Sequence, residues 1–215
     1  MEYAPKVMFH VFGFPITETV TTTWIIMAVI IFIAWLGGRK LEKVPGKFQN
    51  IMELVVDGVN FLTKSTMGED KLSFAPYMGA LAFYLAFANL IGLIGLRPPT
   101  ADLTTTFALS LLTFFMTQYF GLRSKGLGYI KGFAQPFILL LPINIIGEIA
   151  NPISLAFRLF GNIVGGLIIM SLVYSVVPLI LPVLPHAYFD VFSGLLQTFI
   201  FVMLSMVYIS GAMED

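Results

Sequence analysis

Asn151-Pro152-Ile153-Ser154-Leu155-Ala156-Phe157-Arg158-Leu159-Phe160-Gly161-Asn162 sets an arginine in the middle of one of the longest apolar tracts of the chain. From Gly132 to Met213 only Glu148, Arg158 and Asp190 carry a formal charge. An arginine at the centre of a bilayer costs from ~2.5 up to ~17 kcal/mol, depending on the reference, so one that is retained there faces protein or a wet cavity rather than lipid. A guanidinium near a helix end can snorkel to the headgroups. Here the apolar sequence continues too far on both sides for one side chain to reach water, and Arg158 is read as functional.

Composition supports a membrane setting. The 215 residues are 58% hydrophobic and 11% charged, with a mean hydropathy of +0.90; an ordinary soluble domain is roughly 25% charged. This is the profile of a polytopic membrane protein, and it argues against soluble enzymology. The net charge of zero implies no acidic or nucleic-acid partner. With no cysteine, disulfides and thiolate metal sites are excluded. The two histidines, His10 and His186, are too far apart to suggest a metal cluster, and no cofactor is expected. No basic segment with a cleavage site opens the chain, so no signal peptide is expected.

The expected fold is an all-α polytopic membrane protein, a single membrane domain of five crossings plus an amphipathic interfacial helix, ending in a long tilted helical hairpin. Residues 1–18 read as an outer interfacial arm. Residues 19–36 form the first span, with Trp24 and Trp35 toward its ends as interface anchors. A cytoplasmic insert, 39–73, holds an amphipathic helix over 47–66. In it Phe48, Ile51, Met52, Val55, Val59 and Leu62 share one face, which suits a helix lying on the membrane. The second span is 74–96, with Asn89 as its only amide. A polar turn through Asp102 leads to the third span, 103–122.

From Gly132 the apolar run is interrupted by Pro136, Pro142, Pro152, Pro178 and Pro182. One perpendicular crossing needs only ~20 residues. A long tilted helix is therefore expected over 133–177, a turn at Pro178, Pro182 and Pro185, and a last helix over 188–210. Segments 37–73 and 122–132 hold nine Lys/Arg, whereas the arm and the 97–102 turn hold one each. That bias puts the N-terminus outside and the C-terminus in the cytoplasm. The lack of an internal repeat counts against the inverted-repeat transporters.

A hairpin centred near Val177 sets Arg158 level with Gln197, Asn162 with Ser193, and Gly165 with Asp190. Ser154, Arg158 and Asn162 follow at i, i+4 and i+8 and share a face. The five groups Arg158, Asn162, Gln197, Asp190 and Ser154, with Ser193, are expected to line a polar stripe inside a dry hairpin. Gly161, Gly165 and Gly166 leave room for close approach of another helix. Glu148 lies ~15 Å of helix rise from Arg158 on the cytoplasmic side, and Asp190 lies toward the outside. Along the membrane normal the order is acid, arginine, acid. Each acid suits a half-channel open to one face, and a guanidinium that keeps its proton blocks a cation between them. The chain has no phosphate loop, nucleophile–base set or metal cluster, so a partner must supply a moving carboxylate.

The segment 148–162 resembles the signature of subunit a of F-type ATP synthases. Val44-Pro45-Gly46-Lys47-Phe48-Gln49-Asn50, Pro99-Thr100-Ala101-Asp102-Leu103 and Leu196-Gln197-Thr198-Phe199-Ile200-Phe201 agree with it. The resemblance implies an ion-translocating, non-catalytic stator subunit of a rotary motor in a bacterial plasma membrane. It would face the carboxylates of a c-ring and be held by the subunit b peripheral stalk. It also implies that Arg158 is the essential arginine, flanked by Asn162 and Gln197. One departure stands out. Many members carry an acid nine residues after the arginine, paired with a histidine on the last helix; here those positions are Leu167 and Asp190. The outer half-channel would then rely on Asp190, Asn162, Ser193 and water, with H⁺ or Na⁺ as the ion. The competing readings are a stand-alone secondary ion transporter or channel, and a purely structural subunit in which Arg158 pairs with Glu148 or Asp190.

Smaller roles stay open. Asp102 is either an outer-entrance acid or the N-cap of the third span. Asn89 reads as an interhelical hydrogen bond, and His186 and His10 as solvated residues. Glu53 and Asp57 face the cytoplasm or the peripheral stalk.

Overall fold

The computed structural model of the protein describes residues 6–11, 13–39, 42, 44, 46–133, 137–176 and 183–214. The N-terminal arm departs from the all-α expectation. Strands β1 (Val7–Val11) and β2 (Phe14–Thr17) pair antiparallel around Gly13, whose φ of 83° suits the tight reversal. His10 faces Pro15 in that ladder and takes no part in the hairpin of Arg158.

Helix α1 (Glu18–Gly38) opens with an acid in its first turn, which complements the helix dipole. Its buried residues are Thr19, Thr22 and Ile26, whereas Trp24, Ile31, Phe32 and Trp35 stay exposed. A helix apolar all round is built for lipid. Helix α2 (Lys47–Met67) covers the stretch read as an amphipathic helix over 47–66. Leu62 and Met67 pack into the central core, and Thr66 donates to Met203 Sδ at 3.7 Å. Phe48, Ile51, Leu54 and Phe61 remain exposed, so the helix carries apolar side chains on more than one side. Between α1 and α2, Val44 is described and exposed, while Lys43 and Pro45 lie outside the described residues.

A 3-10 segment, Glu69–Phe74, leads into α3 (Ala75–Leu90), which a second one, Ile91–Ile94, extends. Helix α4 (Leu103–Lys125) begins where the Asp102 carboxylate accepts from Thr104 N at 3.1 Å. It ends at Gly126, φ 57°, whose N–H reaches Leu122 O. Asp102 is thus the N-cap, and it also accepts from the Thr19 hydroxyl at 3.4 Å. Helix α5 (Leu127–Gly132) turns back beside α4. A Cβ at Gly121 would stand 2.6 Å from Tyr129 Cε2, so glycine is what permits this approach.

The long helix starts later than its sequence suggests. A 3-10 turn, Ile138–Leu140, runs into α6 (Leu141–Val176), 36 residues that pass through Pro152 without ending. At 1.5 Å per residue this is ~54 Å, far more than a ~30 Å hydrocarbon core, which requires tilt. Pro136 and the expected turn prolines Pro178 and Pro182 lie outside the described residues, whereas Pro185, expected in that turn, lies within the helical residues Val183–His186. The last helix starts earlier than 188: α7 (Val183–His186) passes into a π-helical segment, Ala187–Ser193, and then α8 (Gly194–Met213).

Among the described residues, four helical stretches are long and apolar enough to cross a membrane: Glu18–Gly38, Glu69–Ile94, Ile138–Ser175 and Ala187–Met213. The expected third span, α4, has the length, but Thr104, Thr106, Ser110, Thr113, Thr117 and Gln118 lower its apolar content. Thr106, Ser110, Thr113 and Thr117 are buried, and Thr113 meets Ser205 of α8 at 3.1 Å. Their own helix carbonyls satisfy several of these hydroxyls, and small side chains let helices pack closely. The core joins α3, α6 and α8 through Met78, Leu81, Leu85, Leu155, Leu159, Phe201 and Met206.

One polar joint locks this core. Asn89, 2% exposed, donates to Gly194 O and Thr198 Oγ1, both at 3.0 Å, and accepts from Thr100 at 2.9 Å. A Cβ at Gly194 would stand 3.3 Å from Asn89 Cβ, so the small residue admits the amide. The interhelical bond expected of Asn89 is therefore present, with three partners.

Candidate functional site

Helices α6 and α8 meet as an antiparallel hairpin in the expected register. Ser193 donates to Asn162 Oδ1 at 2.9 Å, and Asn162 Nδ2 approaches Ser193 O at 3.5 Å. One turn farther, Gly166 faces Phe189, where an added Cβ would sit 3.4 Å from the Phe189 Cβ.

The expected single stripe, however, is divided between two faces. Arg158 and Ser154 are exposed, Asn162, Ser193 and Asp190 half-buried, and Gln197 buried. Leu155, Ala156 and Leu159 take the inward side of α6 and pack into the core, which turns Arg158 outward. Among the described residues Arg158 makes no hydrogen bond or ion pair, so it is not held by Glu148 or Asp190. Gln197 Nε2 is buried without a hydrogen-bond partner. Ala150, Phe157 and Gly161 of α6 are likewise exposed, as are Phe192 of the π-helical segment and Leu196 and Phe199 of α8.

At one end of the hairpin Glu148 accepts from Gln118 Nε2 of α4 at 3.1 Å. Glu148 and Asn151 border a cavity of ≈ 920 Å³, also lined by Lys125, Tyr129, Phe133 and Asn144. A second cavity of ≈ 240 Å³ reaches the same two residues from Thr117, Tyr208 and Gly211. Tyr129 lies outside the spans; burial first, then the nearby Glu148 carboxylate, hold its phenol above the ordinary range. Gln118, Tyr129 and Asn151 were not legible as site residues, because they come from separate helices that only packing joins.

The other end corrects the reading of His186 as a solvated residue. Its Nδ1 pairs with Asp190 Oδ2, four residues on, and its Nε2 meets the Tyr174 hydroxyl of α6 at 2.7 Å. The signal was the i, i+4 spacing, missed because the helix was expected to begin at 188. Leu167 is exposed and offers no polar atom. Asp102 stays with α4 and Thr19, apart from this group. Among the described residues, no three His, Cys, Asp or Glu side chains are placed to hold a metal ion.

Residues 20–210 match the family model described as ATP synthase A chain. "ATP synthase subunit a 2" of Syntrophotalea carbinolica is 42% identical over 92% of this chain and 86% of its own length. "ATP synthase subunit a, sodium ion specific" of Propionigenium modestum is 36% identical over 99% of this chain and 80% of its own. "ATP synthase subunit a" of Geotalea daltonii is 36% identical over 92% and 88%. With the arginine-bearing hairpin at its centre and the match running through nearly all its length, the chain belongs to the ATP synthase A chain family, the non-catalytic membrane subunits of the Fo sector.

Proposed function

We propose that the chain is the stator that offers two offset half-channels to the carboxylates of a rotating c-ring, with Arg158 preventing ions from short-circuiting between them. The observation that carries this is Arg158 itself: exposed on an apolar helix face, without a partner among the described residues, and flanked along the hairpin by Glu148 and Asp190. A guanidinium left open on that face attracts a partner's carboxylate and lowers its proton affinity as it passes. It does so without giving up its own proton, since its pKa lies above 12.

On this reading Glu148, Asn151 and the ≈ 920 Å³ cavity form the cytoplasmic half-channel. Asp190, Ser193 and Asn162 belong to the outer one, with Ser154 and Gln197 beside Arg158. Helix α4 supplies the fifth crossing, because Thr106, Ser110, Thr113 and Thr117 are buried against protein instead of facing lipid. The N-terminus lies outside and the C-terminus in the cytoplasm of a bacterial plasma membrane, as the positive-inside bias of 37–73 and 122–132 directs. Exposed Glu53 and Asp57 on α2 are available to the subunit b stalk. The transported ion is H⁺ or Na⁺, and one relative carries the name of a sodium-specific subunit.

The absence of cysteine makes a direct test simple. Ala150→Cys, on the exposed face, should form a disulfide with a cysteine placed on the outer helix of the ring, in the whole complex and under mild oxidation. Leu159→Cys, buried on the opposite side, should not. Equal cross-linking of both, or of neither, would remove the ring-facing assignment.

A further inference from the structure

We infer that an aminophospholipid, phosphatidylethanolamine, binds in the cavity framed by α1, α2 and α3, with its acyl chain between the three helices and its ammonium group on the Glu53 and Asp57 carboxylates. The site is separate from Arg158 and does not depend on the stator reading.

Three close joints frame the cavity. A Cβ at Gly37 would stand 3.2 Å from Met52 Cγ, where α1 meets α2, and one at Gly79 would stand 3.3 Å from Val59 Cγ1, where α2 meets α3. Helices α1 and α3 meet at Ile26, Ala88 and Ile91, with Ile30 and Phe87 packed against them. Between these joints lies a cavity of ≈ 700 Å³, bordered by Ile33, Ala34, Val55, Val56, Phe83 and Phe87. Cavities of ~300–1,000 Å³ with mostly apolar walls and a few placed polar groups are the kind that hold ligands.

The polar groups lie on one wall. Gln49, Glu53 and Asp57 follow at i, i+4 and i+8 of α2 and share a face. Gln49 Nε2 donates to Glu53 Oε1 at 2.8 Å, and the same amide is tied to the backbone of Glu42, which fixes Glu53. Asp57 has no hydrogen bond or ion pair among the described residues, and no described lysine or arginine borders the cavity. A ligand complementary to this wall is therefore a cation with an apolar tail. Carboxylates one turn apart can both accept from a primary ammonium, which carries three N–H donors. A quaternary ammonium has none and is best held by aromatic faces, and the α2 wall offers no ring.

The depth suits a lipid. On α1 the lining runs from Ile30 to Gly38, ~12 Å of helix rise. It ends beside the level where the Arg39 guanidinium lies over the Trp35 ring at 4.7 Å. Tryptophan and basic residues mark the membrane–water boundary, and half of a ~30 Å hydrocarbon core is ~15 Å. An acyl chain of one leaflet thus spans the cavity with its head at the α2 wall.

The test uses the whole complex in nanodiscs of phosphatidylglycerol, doped with phosphatidylethanolamine whose acyl chain carries a photoactivated diazirine. After illumination, label should map to segments 30–38, 49–57 and 83–87. The same chain on phosphatidylcholine or phosphatidylglycerol should label them about ten-fold less, because the charge-assisted hydrogen bonds are lost. Glu53→Gln combined with Asp57→Asn, two exposed positions, should bring phosphatidylethanolamine down to that level. Ala34→Trp, which fills the cavity and keeps both carboxylates, should lower its labelling as well. Equal labelling by the three lipids, or either variant labelled like the wild type, would overturn the site. Absence of label from all three segments would overturn it too, and would mean that protein, such as the stalk, covers the cavity. None of these results touches the stator reading, whose failure has a different signature: an Arg158→Ala complex that still couples.

Discussion

Ser193 and Asn162 are joined across the hairpin at 2.9 Å, and that hydrogen bond sets the register of α8 against α6. It places Asp190 beyond Asn162 on one side and Gln197 before it on the other. Within a membrane such a bond averages ~0.6 kcal/mol and reaches ~1.7. Ser193→Ala should therefore lower stability by about 1 kcal/mol without unfolding the hairpin. A melt of the detergent-solubilised subunit against wild type measures it. A shift of several kcal/mol would mean that more than the register depends on this hydroxyl.

Arg158→Ala should abolish ATP-driven ion pumping, since no fixed cation would separate the half-channels. Arg158→Lys should fail largely as well. An ammonium is shorter, and it loses its proton more readily when desolvated. Quenching of a pH-sensitive dye in inverted vesicles reads both. ATP hydrolysis by the soluble head should persist, which separates lost coupling from lost assembly.

Glu148→Gln and Gln118→Ala act on the same cavity from two helices. Each should slow pumping several-fold while leaving assembly intact. The double variant should be no slower than Glu148→Gln alone, because Gln118 acts through that carboxylate. Additive losses would place the two residues on separate paths.

Asn89→Ala removes one amide that serves Gly194, Thr198 and Thr100. The Thr100 hydroxyl and the Gly194 carbonyl lose a partner in a buried setting, although Thr198 also bonds to Gly194 O. A cost of about 2 kcal/mol is expected, from orphaned groups at ~1–3 kcal/mol each with partial compensation. Denaturant unfolding of the purified subunit gives the value.

The C-terminus carries a pH-dependent clasp. Lys71 Nζ donates to Glu214 Oε1 at 2.8 Å and to Ser210 Oγ at 2.9 Å, and Ser210 donates to Glu214 at 2.6 Å. The hydrogen bond from Lys71, then that from Ser210, hold the Glu214 carboxyl below its ordinary range. A carboxyl lowered on folding favours the folded clasp above its unfolded pKa, ~4.3. That contribution fades as pH falls through the lowered folded value. Protection of the Ser210–Met213 amides, taken relative to the intrinsic exchange rate at each pH, should therefore fall below pH ~4.3, and in Glu214→Gln it should be low and unchanged across the same range.

Periodicity and charge carried much of the architecture before any coordinates. Nine basic residues in two segments, the amphipathic α2, and a hairpin pairing Asn162 with Ser193 were all legible. They depend on helix geometry and local composition, which are properties of the chain itself. The N-terminal strands were not. A short hairpin of mixed residues around Gly13 has too weak an alternation to separate it from an irregular arm.

The residues that matter most divide the same way. Arg158 is singled out by its sequence, because a lone guanidinium among apolar residues is costly wherever it points. Which way it points was decided by packing: Leu155 and Leu159 fill the core between α3 and α8, and the helical period then turns Arg158 out and leaves Gln197 inside. The grouping of Glu148 with Gln118 and Tyr129, and of His186 with Tyr174, likewise joins positions from different helices. Spacing along one helix is written in the order of residues. Contact between helices depends on crossing angle and on small side chains such as Gly121 and Gly194, and those act only once the bundle has closed.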